Sequence, residues 1–391
     1  MSKMKTVDHS LQLILENIPI FSKIQELPVS QCENRILAET ILAPCDFPKT
    51  DNSSMDGFVF LKSDLKSGLK SFPIQFEVRP ETKKIPALKK KYCARILTGG
   101  TVPQGDVIIV PVEQTLMEEN KIVLKDIPTK DLVRKKGSGY KKGDELLIAK
   151  TLLRPYEKGM LISAGVKRVK VLKEISVCIQ NTGNEIKTEN NTNGPVLFDL
   201  LTKIPGLKVK LMPIVGDNAH VLKKRFQSLL SNFEVVVTTG GISAGTYDYV
   251  HSVLENLGVN FFIRKISQKP GKPVTIGLFK NRPVCCLPGN PMSAVFCTEF
   301  YLRVLIYKML GFSFKFISAF AQNEIENKSS LTAFHTGKMY VEEGMVKVKI
   351  NTGIQSNLLT LYRDSNCYIM VKEGATIKVG NKVKLVPFMY E

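Results

Sequence analysis

Hydrophobic residues near the start of the chain recur at Val7, Leu11, Ile14, Leu15 and Ile18, the spacing of one face of an amphipathic helix. Extended texture follows, with RILAETILAP before residue 45. Across residues 46–144 the pattern changes to short apolar runs (FVFL, FPIQFEV, ARILTGG, DVIIVPVEQ, KIVLKDI) broken by Pro, Gly and Lys clusters, which predicts a small, mostly β unit. The earlier style then returns: Leu152, Leu153, Tyr156, Met160 and Leu161 read as helical before Gly165. The 46–144 unit is therefore expected to be inserted into an elongated helical and extended N-terminal domain built from 1–45 and 145–171.

Residues 172–313 alternate between two periods. Strands are predicted at 175–180, 208–215, 234–239, 259–264, 274–279 and 283–287, and helices at 195–203, 218–231, 247–257 and 291–310. Val250, Val253, Leu254 and Leu257 mark one helical face. Continuous Val/Ile/Leu strands followed by Gly-rich turns predict a three-layer α/β domain, its largely parallel sheet covered on both sides. The tail, 314–391, holds short strands such as GMVKVKINTG and NKVKLVPF and reads as a small β-domain.

Composition narrows the function. A chain of 391 residues with 43% apolar content predicts several domains with sizeable cores. It has no run of about 18 apolar residues, so no membrane-spanning helix is expected. The N-terminal stretch lacks the pattern of a signal peptide. The eight cysteines form no CxxC, and several sit in apolar runs (SVCIQ, PVCCLP), where Cys behaves as a small hydrophobe. Buried, reduced thiols and a cytoplasmic location are expected. The net charge of +19 fits either an anionic partner or lysine-rich, solvated surfaces. The lysines are scattered in short clusters, no nucleic-acid motif accompanies them and Trp is absent, so an anionic small molecule is expected rather than a nucleic acid.

Three loops of the α/β segment carry candidate chemistry. Thr238-Thr239-Gly240-Gly241-Ile242-Ser243-Ala244-Gly245-Thr246-Tyr247-Asp248 follows a buried strand and opens a helix. Ligands of open α/β sheets bind beyond the carboxyl ends of the strands, where glycines let backbone N–H groups approach an anion. Lys269-Pro270-Gly271-Lys272-Pro273 stiffens two lysines with two prolines, and Lys265 lies four residues earlier. Leu287-Pro288-Gly289-Asn290-Pro291 places Asn290 as N-cap and Pro291 as the first helical residue. Each loop is also explicable as structure alone: a tight turn, solvated lysines, a helix start.

Acids sharpen the picture. Glu185 in Asn181-Thr182-Gly183-Asn184-Glu185, Asp217 and Asp248 all follow strand ends, which suggests a hard cation, magnesium, held between carboxylates and substrate phosphates. Outside this segment, Asp51-Asn52-Ser53-Ser54-Met55-Asp56-Gly57 and Thr98-Gly99-Gly100-Thr101-Val102-Pro103 are polar turns dense in acceptors and hydroxyls. The four histidines fall outside these motifs, and no nucleophile constellation is apparent.

Taken in order, DNSSMDGF, ILTGGTVPQGD, NTGNE, TTGGISAGTYDY, KPGKP and LPGNP resemble the molybdopterin molybdenumtransferase family (MoeA and the E domain of gephyrin) over nearly the whole chain. The resemblance implies an elongated N-terminal domain, an inserted β-domain, an α/β molybdopterin-binding domain and a C-terminal β-barrel domain. It also implies a homodimer with the active cleft between subunits. The implied reaction inserts molybdate into adenylylated molybdopterin with hydrolysis and release of AMP, and it requires magnesium. Molybdopterin adenylyltransferase would act upstream, and molybdoenzymes would receive the product.

By motif position the resemblance implies functional roles for Asp56, Thr98, Glu185, Asp217, Asp248, Lys265, Lys269, Pro288 and Pro291. Glu185, Asp217 and Asp248 would organise the metal and pyrophosphate, and Lys265 and Lys269 would balance oxyanion charge. Gly240, Gly241, Ser243, Gly245, Lys272, Gly289 and Asn290 would complete the substrate site, with Asp56 and Thr98 supplied by the partner subunit. The chain departs from the family pattern at Gly139 in place of an acid and Asn184 in TGNE. VLFDLL replaces an expected Tyr-Asp-x-Asn, and Leu331 and Thr336 stand where arginines are expected. An adenylyltransferase, a catalytically silent scaffold and a tungstate-specific paralogue are the competing readings.

Overall fold

The computed structural model describes residues 4–126, 131–184, 188–241, 249–351 and 359–390. Its central sheet is built by β1 (Ile175–Asn181), β2 (Leu207–Leu211), β3 (Val235–Thr239), β4 (Asn260–Ile263), β5 (Thr275–Phe279) and β6 (Arg282–Leu287). The strand order is 2-1-3-6-5-4. β2, β1, β3 and β6 pair in parallel, whereas β5 is antiparallel to both neighbours. The sheet is therefore mixed rather than parallel throughout: the tight Lys280–Asn281 connection, with both residues at positive φ, turns β5 straight back into β6.

Both faces of the sheet are covered, which explains its uninterrupted apolar strands. Val235 and Val237 of β3 face one core, with Phe296, Phe300 and Tyr301, while Val236 faces another with Leu222, Phe226 and Leu254. Burying each such side chain stabilises by about 1.5–3 kcal/mol, so a polar residue on either face would be costly. The second core is closed by α2 (Ala219–Asn232) and α3 (Tyr249–Asn256). The first is closed by α1 (Asn193–Thr202), α4 (Pro291–Cys297) and the helical turns that follow to Leu310. Within that run, Thr298–Leu302 is a π-helical turn.

The helix Val7–Asn17, capped by the Thr6 hydroxyl accepting from the His9 N–H at 3.2 Å, packs Val7 and Ile14 into the first core. It thus docks on the α/β layer, away from the strands 24–53 that follow it in sequence. Those strands make antiparallel pairs with 133–172: Ile24–Pro28 with Arg168–Leu172, Arg35–Ile36 with Leu152–Leu153, and Asn52–Ser53 with Val133–Arg134. Leu152 and Leu153 are strand, not helix. The helix begins at Pro155, fixed by Glu157 accepting from the Arg154 N–H at 2.9 Å, and it leaves Tyr156 and Met160 exposed. Between these pairs the chain folds a six-stranded sheet from Gly57–Leu61, Ser71–Val78, Cys93–Ile96, Val107–Pro111, Thr115–Glu118 and Lys121–Leu124.

At the C-terminus, Ile317–Ala321, Thr332–Glu342, Met345–Ile350, Cys367–Val371 and Lys382–Pro387 close into a five-stranded barrel around Val348, Ile369 and Leu385. The buried Arg303 and Glu299 join barrel to α/β layer: Arg303 donates to the Pro387 carbonyl at 2.9 Å and Glu299 accepts from the Met389 N–H, also at 2.9 Å. The eight cysteines form no disulfide among the described residues, and seven of them are buried. No helix among the described residues is long and apolar enough to cross a membrane.

Candidate active site

Four strand ends of the α/β sheet are stitched together at their carboxyl edge. The Thr182 N–H, beyond β1, donates to the Thr239 carbonyl at 3.0 Å, and Thr239 Oγ1 donates to the Pro288 carbonyl at 3.0 Å. Asn193, the first residue of α1, donates from Nδ2 to both Thr239 Oγ1 and the Gly289 carbonyl, each at 2.9 Å. Beyond β2, Asp217 and Asn184 exchange bonds: the Asp217 N–H donates to Asn184 Oδ1 at 2.9 Å, and the Asn184 N–H donates to Asp217 Oδ2 at 3.3 Å.

Gly240 and Gly241 make this closeness possible. Both hold positive φ, 90° and 62°, and a Cβ on Gly240 would lie within 3.0 Å of the Thr182 carbonyl oxygen. A Cβ on Gly289 would in turn sit 3.6 Å from the Gly240 Cα. Asn290 caps α4, its Oδ1 accepting from the Ser293 N–H at 3.2 Å, with Pro291 as first helical residue. Beneath the turn lie buried polar atoms with no partner among the described residues: both amide atoms of Asn181, Asn193 Oδ1 and Thr238 Oγ1. Buried polar groups are almost always met, so these atoms take their partners from outside the described residues.

The lysine loop approaches the same edge from the ends of β4 and β5. Ile266 bridges to Lys5, and Gln268–Lys269 pairs in parallel with Thr332–Ala333 of the barrel. Gly271, at φ 82°, presses against Phe296 and Cys297 of α4. Lys265 and Lys272 are exposed and Lys269 half-buried, and none of the three makes an ion pair among the described residues. Three cations without an ion pair among the described residues thus sit on a loop at the same sheet edge as the glycine turn, an arrangement suited to phosphate or another oxyanion.

The two outer motifs meet each other. The Thr98 N–H and hydroxyl both donate to Asp56 Oδ1, at 2.7 and 2.8 Å, and the Ser53 N–H donates to the Gly100 carbonyl at 2.9 Å. The Thr98 N–H, then its hydroxyl, hold the Asp56 carboxyl below the usual carboxylate range. No hydrogen bond or ion pair among the described residues joins this pair to the loops of the α/β sheet. Glu185, Ser243, Gly245 and Asp248 lie outside the described residues. The acids within them form no group of three able to hold a metal. Asp217 supplies one carboxylate beside the Asn184 amide oxygen, hard oxygen donors of the kind magnesium takes.

The departures have structural counterparts. Gly139 donates to the Phe47 carbonyl at 2.9 Å, and a Cβ there would come within 3.1 Å of Phe47, so no acid fits without a shift. Thr336 Oγ1 accepts from Asn351 Nδ2 at 3.1 Å, and the Leu331 carbonyl accepts from Asn327 Nδ2 at 2.9 Å. Sequence reasoning missed Asn193, whose signal was the Asn-Asn-Thr-Asn run that opens α1.

Two family models match the chain: the MoeA N-terminal region (domain I and II) over residues 5–165, and a probable molybdopterin binding domain over residues 178–308. A Haemophilus influenzae protein named molybdopterin molybdenumtransferase is 32% identical, covering 98% of this chain and 99% of its own. A Nostoc protein of the same name is 28% identical over 98% of this chain and 93% of its own. The solved structure of a molybdopterin biosynthesis MoeA protein from Pyrococcus horikosii superposes with a TM-score of 0.79 at 25% identity, covering 99% of both chains.

Proposed function

The chain belongs to the molybdopterin molybdenumtransferase family, and with the geometry of its sheet edge this leads us to propose that it inserts molybdate into adenylylated molybdopterin with hydrolysis and release of AMP. Its place is in molybdenum cofactor biosynthesis, after adenylylation of the pterin and before delivery to molybdoenzymes. The observation that carries the reading is the stitched carboxyl edge: a glycine turn over buried polar atoms unmet among the described residues, with a lysine loop at the same edge whose three cations make no ion pair among them.

The roles follow from placement. Backbone N–H groups of the 239–241 turn and the 288–291 turn grip phosphate and shape the pterin or nucleotide pocket. Lys265, Lys269 and Lys272 balance the anionic charge that grows as the phosphoanhydride is attacked. Asp217, with Glu185 and Asp248, would hold magnesium. A bound magnesium ion supplies charge neutralisation on the pyrophosphate. The protein contributes chiefly positioning and electrostatics.

Asp56 and Thr98 act, on this reading, from the partner subunit of a homodimer. Two observations support that: their separation from the α/β loops in the bonding pattern, and the exposed apolar side chains Leu42, Ile148, Met160 and Ile162. A reducing, cytoplasmic setting suits eight cysteines that form no disulfide among the described residues.

Incubation of purified protein with adenylylated molybdopterin, magnesium and molybdate tests the proposal. Molybdate-dependent AMP release, abolished by chelating magnesium, is expected. ATP-dependent adenylylation of molybdopterin in place of AMP release would make the protein an adenylyltransferase.

A further inference from the structure

The inserted β unit carries its charge unevenly. Between Arg79 and Lys91 stand six cations (Arg79, Lys83, Lys84, Lys89, Lys90 and Lys91) and one acid, Glu81. Over a quarter of the chain's net charge of +19 thus sits on about a thirtieth of its length. All six cations are exposed. Arg79 pairs with Glu77 at 2.6 Å, and the five lysines make no ion pair among the described residues.

These residues form the connection from Ser71–Val78 to Cys93–Ile96, which has no helix or strand of its own. Irregular loops of this length are usually functional. This one is pinned along its course. The Arg79 N–H donates to Thr82 Oγ1 at 2.9 Å, the Lys89 N–H to Gln75 Oε1 at 2.8 Å, and the Lys91 N–H to Asp64 Oδ2 at 2.6 Å. Leu88 is buried and Ile85 half-buried, packed with Val59, Val78 and Ile96. Its lysines are therefore held close together although like charges repel, which a merely solvated face gains nothing from. The near end touches the Asp56–Thr98 motif. The Leu97 N–H donates to the Val78 carbonyl at 3.0 Å, and a Cβ on Gly99 would lie 3.7 Å from the Pro80 side chain.

The surface offers charge without an apolar centre. Protein partners are held by buried aromatic and aliphatic anchors, but here the aliphatic side chains turn into the unit's own core and leave Tyr92 as the one large exposed apolar side chain of the loop. Charge of one sign beside a cleft instead raises the arrival rate of a small counter-ion, and salt screens the effect. We propose that the 79–92 loop is an electrostatic capture surface that draws the polyanionic, nucleotide-linked substrate toward the Asp56–Thr98 half of the cleft. The inference rests on the molybdenumtransferase reading, which supplies the polyanion.

Rapid mixing of the full chain with a 2-aminopurine analogue of adenylylated molybdopterin, with molybdate left out, reads association apart from turnover. The loop variant combines Lys83→Gln, Lys84→Gln, Lys89→Gln and Lys90→Gln, and spares Lys91, whose φ is 65°. A control combines Lys167→Gln, Lys173→Gln, Lys378→Gln and Lys382→Gln, all exposed. Both variants have the same net charge, so only the place of the loss differs. At about 0.01 M salt, the loop variant should associate about tenfold more slowly than the wild type and the control. Dissociation rates, and AMP release at saturating substrate, should stay level. The gap should close at about 1 M salt, where the screening length falls to about 3 Å. A wild-type association rate indifferent to salt overturns the inference before any variant is made. So does an equal loss in the two variants, or none in the loop variant. A loop-dependent salt response in a protein that releases no AMP once molybdate and magnesium are added would fail the functional reading instead.

Discussion

Gly240→Ala isolates what the close approach at the sheet edge is worth. Gly240 and Gly143 share a φ of 90°, but their surroundings differ. A Cβ on Gly143 meets nothing within 4 Å, whereas one on Gly240 falls within 3.0 Å of the Thr182 carbonyl oxygen, a backbone atom. The left-handed conformation costs alanine about 1–2 kcal/mol, partly offset by about 0.4–1 kcal/mol from a stiffer unfolded chain. Gly143→Ala should therefore lose about 1 kcal/mol or less.

Gly240→Ala carries the same terms plus overpacking of about 1–3 kcal/mol. Relief of the clash parts the ends of β1 and β3 and stretches the 3.0 Å bond from the Thr182 N–H to the Thr239 carbonyl, costing about 1 kcal/mol more. The two variants should differ by roughly 2–4 kcal/mol on these terms. In a multidomain chain one melting midpoint is not a free energy, so the assay is hydrogen exchange of the amides of residues 175–182 and 235–240, read beside AMP release. Faster exchange confined to those segments, with AMP release down more than about tenfold, is expected for Gly240→Ala alone. Matching exchange and activity in the two alanine variants would refute the stitched edge.

Asn193→Ala removes two buried hydrogen bonds and strands the Gly289 carbonyl; a loss of about 1–3 kcal/mol in chemical denaturation is expected, with slower AMP release. A wild-type profile would show that α1 does not anchor the 288–291 turn. Asp56→Ala and Asp217→Ala should each abolish AMP release, and mixing them under subunit exchange should restore part of it, since one hybrid cleft keeps both acids. No recovery in verified hybrids would place both acids in a site within one chain. Burial raises the Glu299 carboxyl to about 7 in the folded chain, with Arg303 pulling the other way. Its folded pKa exceeds the unfolded one, so its contribution to stability is complete below about pH 4.5 and is lost as pH rises through about 7. Glu299→Gln should flatten the fall in stability across that window; an identical pH profile in both proteins would contradict a raised pKa.

Much of the architecture was legible because burial on two faces leaves a plain trace. The VVVTT run of β3 and the Leu222, Phe226, Leu229 spacing of α2 state their partners directly. Leu152–Leu153 misled because two adjacent leucines fit a helix as well as a two-residue strand, and only the distant Arg35–Ile36 decides between them. The antiparallel β5 was hidden for a related reason: its neighbours were visible, but their directions depend on the Lys280–Asn281 turn.

At the site, the glycine turn and the Asn290 cap announced themselves by local chemistry. Asn193 did not. Its significance lies in what it ties together across nearly 100 residues of sequence, through its bond to the Gly289 carbonyl. The pairing of Asp56 with Thr98 was likewise unreadable, because it needs the register of Gly57–Leu61 against Cys93–Ile96.

The lysine loop is held from two sides. The Lys5 carbonyl accepts from the Ser267 N–H at 2.8 Å, and Ser267 in turn accepts from the Thr332 N–H at 3.1 Å. A ribosome must therefore extrude almost the whole polypeptide before Lys269 can take its place. Until residue 332 has emerged, a nascent chain can hold a finished sheet while the lysine loop still lacks its second clamp. The same clamp limits modular reuse: grafting the α/β layer alone onto another protein would carry Lys269 along but leave its loop without the Lys5 and Thr332 contacts that hold it.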